Sequence, residues 1–193
     1  MGLDMYLDRA PRYKDTTPSD LSKIEGYWDY QVSKAQEKTK GYSLKEWSGI
    51  DESALPDQEY LDFYCPFYTI KYSDWDTEKK YGFGRISEQV GYWRKANQIH
   101  NWFVENVQDG NDDCGSYEVS KEDLEALLAT CADVLADPSQ AESLLPTTGG
   151  FFFGDTEYDE YYMQDIKETI NILTKVIAET DFEKQMVYYV SSW

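Results

Sequence analysis

The sequence predicts an α+β fold in a single domain, residues 1–193, in which a small, mainly antiparallel sheet packs with three or four long helices. Stretches with helical apolar spacing and extended stretches follow one another, but not as a regular strand–helix–strand series. The chain of 193 residues, 41% of them hydrophobic, can bury one sizeable core. No internal repeat or low-complexity linker divides it, which favours one domain.

The first part of the chain begins with a strand and continues with helices. Leu3 to Arg9 is short and extended, which predicts a strand. Ser19 is a favourable N-cap for a helix to about Lys38, and a shorter helical turn follows at 41–47. Residues 60–72 are rich in aromatic and β-branched types but include Pro66, which predicts an edge strand or an irregular segment.

A brief strand at 79–85 precedes the stretch that we expect to form the central helix, residues 88–107. Ser87 is its predicted N-cap. Two neighbouring apolar rows run along this stretch, so such a helix would be covered from two sides. Asn97 and His100 fall inside one of the rows, and polar groups buried there need partners or a ligand.

The second half predicts two amphipathic helices and a closing strand. Residues 116–119 are extended, and Ser120-Lys-Glu-Asp123 resembles a capping box ahead of an apolar row. A short helical turn is expected at 141–145, and a last long helix begins at a cap, Asp155 or Thr156. Gln185 to Trp193 alternates weakly and predicts a strand beside the N-terminal one.

The charge of the chain restricts its partners. Against 18 Lys and Arg stand 37 Asp and Glu, and the formal charge of -19 repels nucleic acid and anionic membranes. An acidic surface suits a basic protein partner, although it also serves solubility alone. Since neither an apolar run of ~20 residues nor a signal segment is present, we expect no membrane association and a cytoplasmic location.

One loop invites comparison with a calcium-binding loop. Asp109, Asn111 and Asp113 match its first, third and fifth ligand positions, but Ser120 stands where a bidentate glutamate belongs. We therefore expect no cofactor, with a divalent cation as an alternative. The three cysteines lack metal-type spacing, which predicts reduced thiols.

A polar cleft is the second functional hypothesis. His100, the sole histidine, could serve Cys114 as a base, or it could be a buried imidazole with both nitrogens satisfied. Asp159 or Glu157 could face Arg94 and Lys95 across the cleft, or these carboxylates could simply stabilise a helix N-terminus. The predicted ligand-binding residues are Arg94, Asn97, His100, Trp102, Asp113, Cys114, Tyr158 and Asp159.

Four stretches of the sequence resemble a family of small phage and prophage proteins. They are Met1-Gly-Leu-Asp-Met-Tyr-Leu, Val90-Gly-Tyr-Trp-Arg-Lys-Ala-Asn-Gln-Ile-His-Asn-Trp-Phe, Asp112-Asp-Cys-Gly and Phe151-Phe-Phe-Gly-Asp-Thr-Glu-Tyr-Asp-Glu-Tyr-Tyr. No activity is established for that family, so the resemblance implies no catalytic residue. It implies an accessory protein that acts inside a bacterial host cell.

We therefore expect a phage accessory protein without enzymatic activity, which binds a host or anti-phage-defence protein that has a basic surface. It would act as a nucleic-acid mimic or an anti-CRISPR-like inhibitor, through charge-steered docking and burial of aromatic side chains. The alternative is a small-molecule- or nucleotide-binding protein, or an enzyme, that uses the polar cleft. A structural or assembly protein is a third hypothesis.

Overall fold

The structure is a computed structural model and describes residues 2–72 and 82–193. Residues 79–81 of the strand predicted at 79–85 lie outside the described residues. In chain order the elements are β1 (Asp4–Pro11), α1 (Pro18–Ala35), α2 (Leu44–Ser48), α3 (Gln58–Tyr64), β2 (Thr69–Tyr72), β3 (Gly82–Arg85), β4 (Glu88–Arg94), α4 (Asn97–Asn106), β5 (Ser116–Val119), α5 (Lys121–Ala136), α6 (Ala141–Leu144), α7 (Glu160–Glu179) and β6 (Gln185–Ser192).

This arrangement confirms the α+β fold class. The chain divides into two compact units, one formed by the residues up to Arg9 together with 89–193, the other by residues 10–88. The single domain that the sequence predicts stays a prediction.

The first unit is built on an antiparallel four-stranded sheet in the order β4-β1-β6-β5. The predicted strand at 185–193 therefore forms, as β6, and lies beside the N-terminal one. Alternate residues of β1, among them Met5 and Leu7, are fully buried, as expected for a strand with one face on a core. β6 is buried over most of its length, which fits its inner position in the sheet.

Helices α4, α5, α6 and α7 also contribute to this core. The ring of Phe103 on α4 stacks on Tyr189 of β6, with centroids 4.1 Å apart. The Trp93 indole of β4 donates a buried hydrogen bond of 2.9 Å to the Thr169 hydroxyl of α7. The fully buried members of the core include Leu3, Ile99, Leu124, Leu127, Ile166, Leu173 and Val187.

The predicted central helix at 88–107 is wrong in its first half. Residues 88–94 are strand β4, and the helix covers only Asn97–Asn106. The apolar residues of 88–94 satisfy a helical spacing, but strand pairing with β1 decides their conformation. Ser87 is not an N-cap, since its N–H donates to the Glu25 carboxylate at 3.2 Å, and Ala96 precedes the helix instead.

In the second unit, helix α1 begins two residues earlier than predicted. Thr17 and Asp20 form a reciprocal capping box there, rather than Ser19 acting as the cap. Residues 60–64, predicted to be extended or irregular, belong to helix α3, whose Leu61 and Tyr64 are buried. Only the end of the 60–72 run is a strand, β2, which pairs antiparallel with β3.

Side-chain caps set the starts of α5 and α7. Ser120 and Asp123 form the predicted capping box of α5. Helix α7 begins later than predicted, because Asp159 rather than Asp155 or Thr156 accepts from the free amides of Tyr161 and Tyr162. The short turns at 41–47 and 141–145 appear as α2 and α6.

Candidate functional site

The structure does not gather the eight predicted ligand-binding residues into one cleft. Arg94 and Asn97 line one cleft, and Tyr158 and Asp159 line a second one. His100 is buried, and Trp102 is partly buried against the core. Asp113 and Cys114 are exposed in the loop that leads to β5.

His100 is a satisfied buried imidazole. Its Nε2 lies 3.1 Å from the Asp112 carboxylate and its Nδ1 2.7 Å from the Tyr189 hydroxyl. A carboxylate only accepts, so a neutral ring carries its proton on Nε2 and Tyr189 donates to Nδ1. Burial raises the pKa of Tyr189 well above its usual value, which keeps that hydroxyl protonated. Both ring nitrogens are therefore in use, and nothing in this arrangement makes His100 a base for Cys114.

The acidic turn before β5 is closed by its own hydrogen bonds. Asp113 accepts from the Gly115 N–H at 2.8 Å and from the Tyr117 hydroxyl at 3.1 Å, an Asx-type turn. Asp112 accepts from the Trp193 indole at 3.0 Å as well as facing His100. Within residues 2–72 and 82–193, no group of three or more His, Cys, Asp or Glu side chains could hold a metal ion.

A cleft of about 570 Å³, here called the polar cleft, opens between β4, α4 and α7. Its volume is in the range of small-molecule sites. It is formed by the end of β4, the start of α4, the segment before α7 and the first turns of α7. The lining residues are Arg94, Lys95, Asn97, Gln98, Thr147, Gly154, Asp155, Glu157, Tyr161, Tyr162 and Asp165.

A tight turn between β4 and α4 places the two cations of the polar cleft. Lys95 has φ +61°, a left-handed conformation that costs a non-glycine residue about 1 kcal/mol or more. Its N–H donates to the Leu3 carbonyl at 2.8 Å, which fixes the turn against the start of β1. Gly154 must lack a side chain beside it, because its φ is +94° and a Cβ there would lie 3.3 Å from the Lys95 Cβ.

Asn97 fixes the opposite wall of the polar cleft rather than facing a ligand. Its amide N–H₂ donates to the Phe153 and Asp155 carbonyls at 3.1 and 2.8 Å. Its side-chain oxygen accepts from the Thr148 N–H at 2.9 Å. The buried amide therefore ties both ends of the segment before α7 to the start of α4, which answers the need for partners that its buried position imposes.

Asp165 is the titratable group of the polar cleft that sequence reasoning missed. Burial first, and then the carboxylates of Glu168, Asp159 and Asp155, raise its pKa to about 6, against a hydrogen bond of 3.2 Å from Gln98 that lowers it. A carboxyl group with such a pKa in a cleft is a typical functional-site feature. Its position directly before buried Ile166 was the one sequence signal that could have pointed to it.

The segment that leads into α7 and includes its first two residues presents aromatic side chains to solvent among carboxylates; we call residues 149–161 the aromatic–acidic segment. Phe151 is 96% exposed and Tyr161 78% exposed. The segment's charged side chains are Asp155, Glu157, Asp159 and Glu160. Its backbone is nevertheless anchored, since the Phe152 carbonyl accepts from Leu3 N–H at 3.0 Å and the Thr156 carbonyl from the Thr147 hydroxyl at 3.0 Å.

Comparison of the chain with models of protein families, with curated proteins and with solved structures found no match. Among the helices in the described part of the chain, none has the length and apolar character required to cross a bilayer.

Proposed function

We propose that the protein is an acidic binding protein that docks on a basic protein surface through its aromatic–acidic segment. The observation that carries this proposal is the 96% exposure of Phe151 in a segment whose backbone is anchored on both sides. A large apolar side chain held in water forfeits about 25 cal/mol for each Å² that it could bury. Exposed apolar groups that gather in one patch are typical of interaction sites.

The composition of the segment supplies the two parts of a docking surface. Phe151 and Tyr161 are aromatic anchors of the kind that dominate interface energetics. The four carboxylates around them are part of the chain's net charge of -19, which attracts a basic partner over long distances. The charge therefore governs the rate of encounter, and the aromatic rings govern the lifetime of the complex.

The biological context of this proposal comes from the resemblance to small phage and prophage proteins. A phage accessory protein meets host and anti-phage-defence proteins, and many of those carry basic nucleic-acid channels. Closely spaced carboxylates imitate a row of phosphates, so a nucleic-acid channel is a fitting target. In this role the protein inhibits by occupying the channel and needs no catalytic residue.

The test is affinity capture from bacterial lysate, followed by measurements on the purified partner. We expect the wild-type protein to retain a basic protein at low salt and to lose it at high salt. Phe151→Ala should weaken the measured affinity at least tenfold. Tyr42→Ala, which removes a ring that is 50% exposed outside the segment, is the matched control and should bind as the wild type does.

A second pair of variants separates steering from anchoring. Asp155→Asn with Glu157→Gln should slow association at low salt and leave dissociation nearly unchanged. The proposal fails if the lysate yields no salt-sensitive partner, or if Phe151→Ala binds the captured protein as tightly as the wild type.

A further inference from the structure

We propose that the polar cleft binds a small zwitterion, a free α-amino acid. This goes beyond partner docking, because it assigns a small-molecule ligand to a concave site, which shares Asp155, Glu157 and Tyr161 with the aromatic–acidic segment but does not include Phe151. It rests on the opposite charges that the cleft brings together from β4 and from α7.

One side of the polar cleft offers two cations that pair with none of the residues that the structure describes. Arg94 and Lys95 both line it, and neither forms an ion pair or a side-chain hydrogen bond with any described residue. Helix α4 begins next to them, and its N-cap residue, Ala96, has no side chain that could accept from the first amides. Two cations beside the positive end of a helix dipole favour a carboxylate, although the Asn97 and Ile99 amides already donate to the Lys95 and Ala96 carbonyls.

The other side offers a carboxyl group that has no cationic partner in the described part of the chain. Asp165 accepts a hydrogen bond from Gln98 but forms no ion pair with a described residue. Burial and neighbouring carboxylates destabilise its charged form. An ammonium group placed against it would relieve both effects, and Asp155 and Glu157 along the same cleft add to the attraction.

These two sides together select the class of ligand. Three carboxylates in the lining disfavour a phosphate-rich ligand such as a nucleotide, while the two cations disfavour a simple amine. A molecule with one carboxylate and one ammonium group satisfies both sides. Tyr161 and Tyr162 line the same cleft and provide apolar surface for its side chain.

Thermal-shift measurements and calorimetric titrations test this directly. The probes are the twenty standard L-amino acids at pH 7.5, each compared with its N-acetyl form and its carboxamide form. We expect at least one free amino acid to raise the Tm and to show saturable binding. Neither blocked form of that amino acid should raise the Tm or bind. Arg94→Ala and Asp165→Asn should each weaken binding at least tenfold, while Glu125→Gln, a carboxyl-to-amide change on α5, should not.

The pH dependence of binding is a second measurement, and it would not change if Asp165 had only a structural role. Binding should strengthen as pH rises from 5 to 7 in the wild type, because Asp165 becomes ionised, and should be flat in Asp165→Asn. The proposal is overturned if no amino acid stabilises the wild type, or if the blocked forms bind as tightly as the free ones. Phe151→Ala should leave amino-acid binding intact, so this site and the docking surface succeed or fail separately.

Discussion

Asp165 is ionised at neutral pH against the preference of its surroundings. The pKa of its carboxyl group is raised from 3.8 to about 6 in the folded chain, because burial penalises the charge. Folding therefore binds a proton between these two pH values, and this residue's contribution to stability falls as pH rises from about 4 to 6.

Asp165→Asn removes this penalty while keeping the shape of the side chain. Above pH 6 we expect the variant to be more stable by about 1 kcal/mol after solvent screening is allowed for. That corresponds to a rise in Tm of about 2–4 °C. At pH 4 the two proteins should unfold at nearly the same temperature. Thermal unfolding followed by circular dichroism at both pH values measures the difference, and an equal gain at both would contradict it.

Tyr189 and His100 form a polar pair inside an otherwise apolar region. The hydroxyl of Tyr189 is the donor that satisfies the buried Nδ1 of His100. Tyr189→Phe keeps the ring that stacks on Phe103 and leaves that nitrogen without a partner. We expect a loss of about 1–3 kcal/mol in the free energy of unfolding, measured by urea denaturation.

The matched control for this change is Tyr161→Phe, which removes a hydroxyl that is open to solvent. It should alter the free energy of unfolding by less than about 0.5 kcal/mol. A Tyr189→Phe protein as stable as this control would show that the imidazole needs no buried donor.

Strand β4 packs closely against strand β1 and helix α7 in the first unit. A Cβ on Gly91 would lie 2.8 Å from the Ile172 side chain of α7 and 3.2 Å from the Leu7 Cβ of β1. Alanine would otherwise favour the folded state by reducing the entropy of the unfolded chain. Here it should overpack the interface between strand and helix.

We expect Gly91→Ala to lower the free energy of unfolding by about 1–3 kcal/mol. Gly149→Ala is the control, since a Cβ there meets nothing closer than a Thr156 methyl at 4.0 Å. Urea denaturation of both variants compares them. Should the two be equally stable, the close approach of β4 to α7 would be disproved.

The capping box of α5 makes a separate prediction. The Ser120 hydroxyl accepts from Asp123 N–H at 3.0 Å while the Asp123 carboxylate accepts from Ser120 N–H at 3.0 Å. Ser120→Ala should cost about 1 kcal/mol of stability. Unfolding in guanidinium chloride measures this loss. The control is Ser139→Ala in the exposed turn after α5, which should cost less stability than Ser120→Ala.

The whole chain raises the question of whether its two units unfold together. In the first unit β1 and β4 are antiparallel neighbours, and Tyr6 and Tyr92 face each other across them with ring centroids 5.4 Å apart. Arg9 and Gln89 therefore stand at the same end of the two strands, where a two-residue turn can join them.

We expect a chain in which Asn-Gly replaces residues 10–88 to fold and to unfold cooperatively in urea, because the core of the first unit comes from residues outside the deleted segment. The full-length protein measured alongside is the reference. A shortened chain without a cooperative transition would instead support the single domain that the sequence predicts.

Local chemistry was enough to predict β1, α5 with its capping box, and β6 beside β1. At these places alternation, helical periodicity and capping residues all favour the conformation that the fold adopts. The same kind of signal failed at residues 88–94, where apolar spacing suits a helix but pairing with β1 makes a strand.

The sequence by itself determined the α+β class, the acidic charge and most of the element order, because periodicity, capping and composition are properties of neighbouring residues. Only the tertiary structure decided which polar groups share a cleft. It brought Arg94 together with Asp165 and enclosed His100 with Tyr189 and Asp112. The physical reason is that these partners lie on different elements, and their distances depend on how α4 and α7 pack on the sheet.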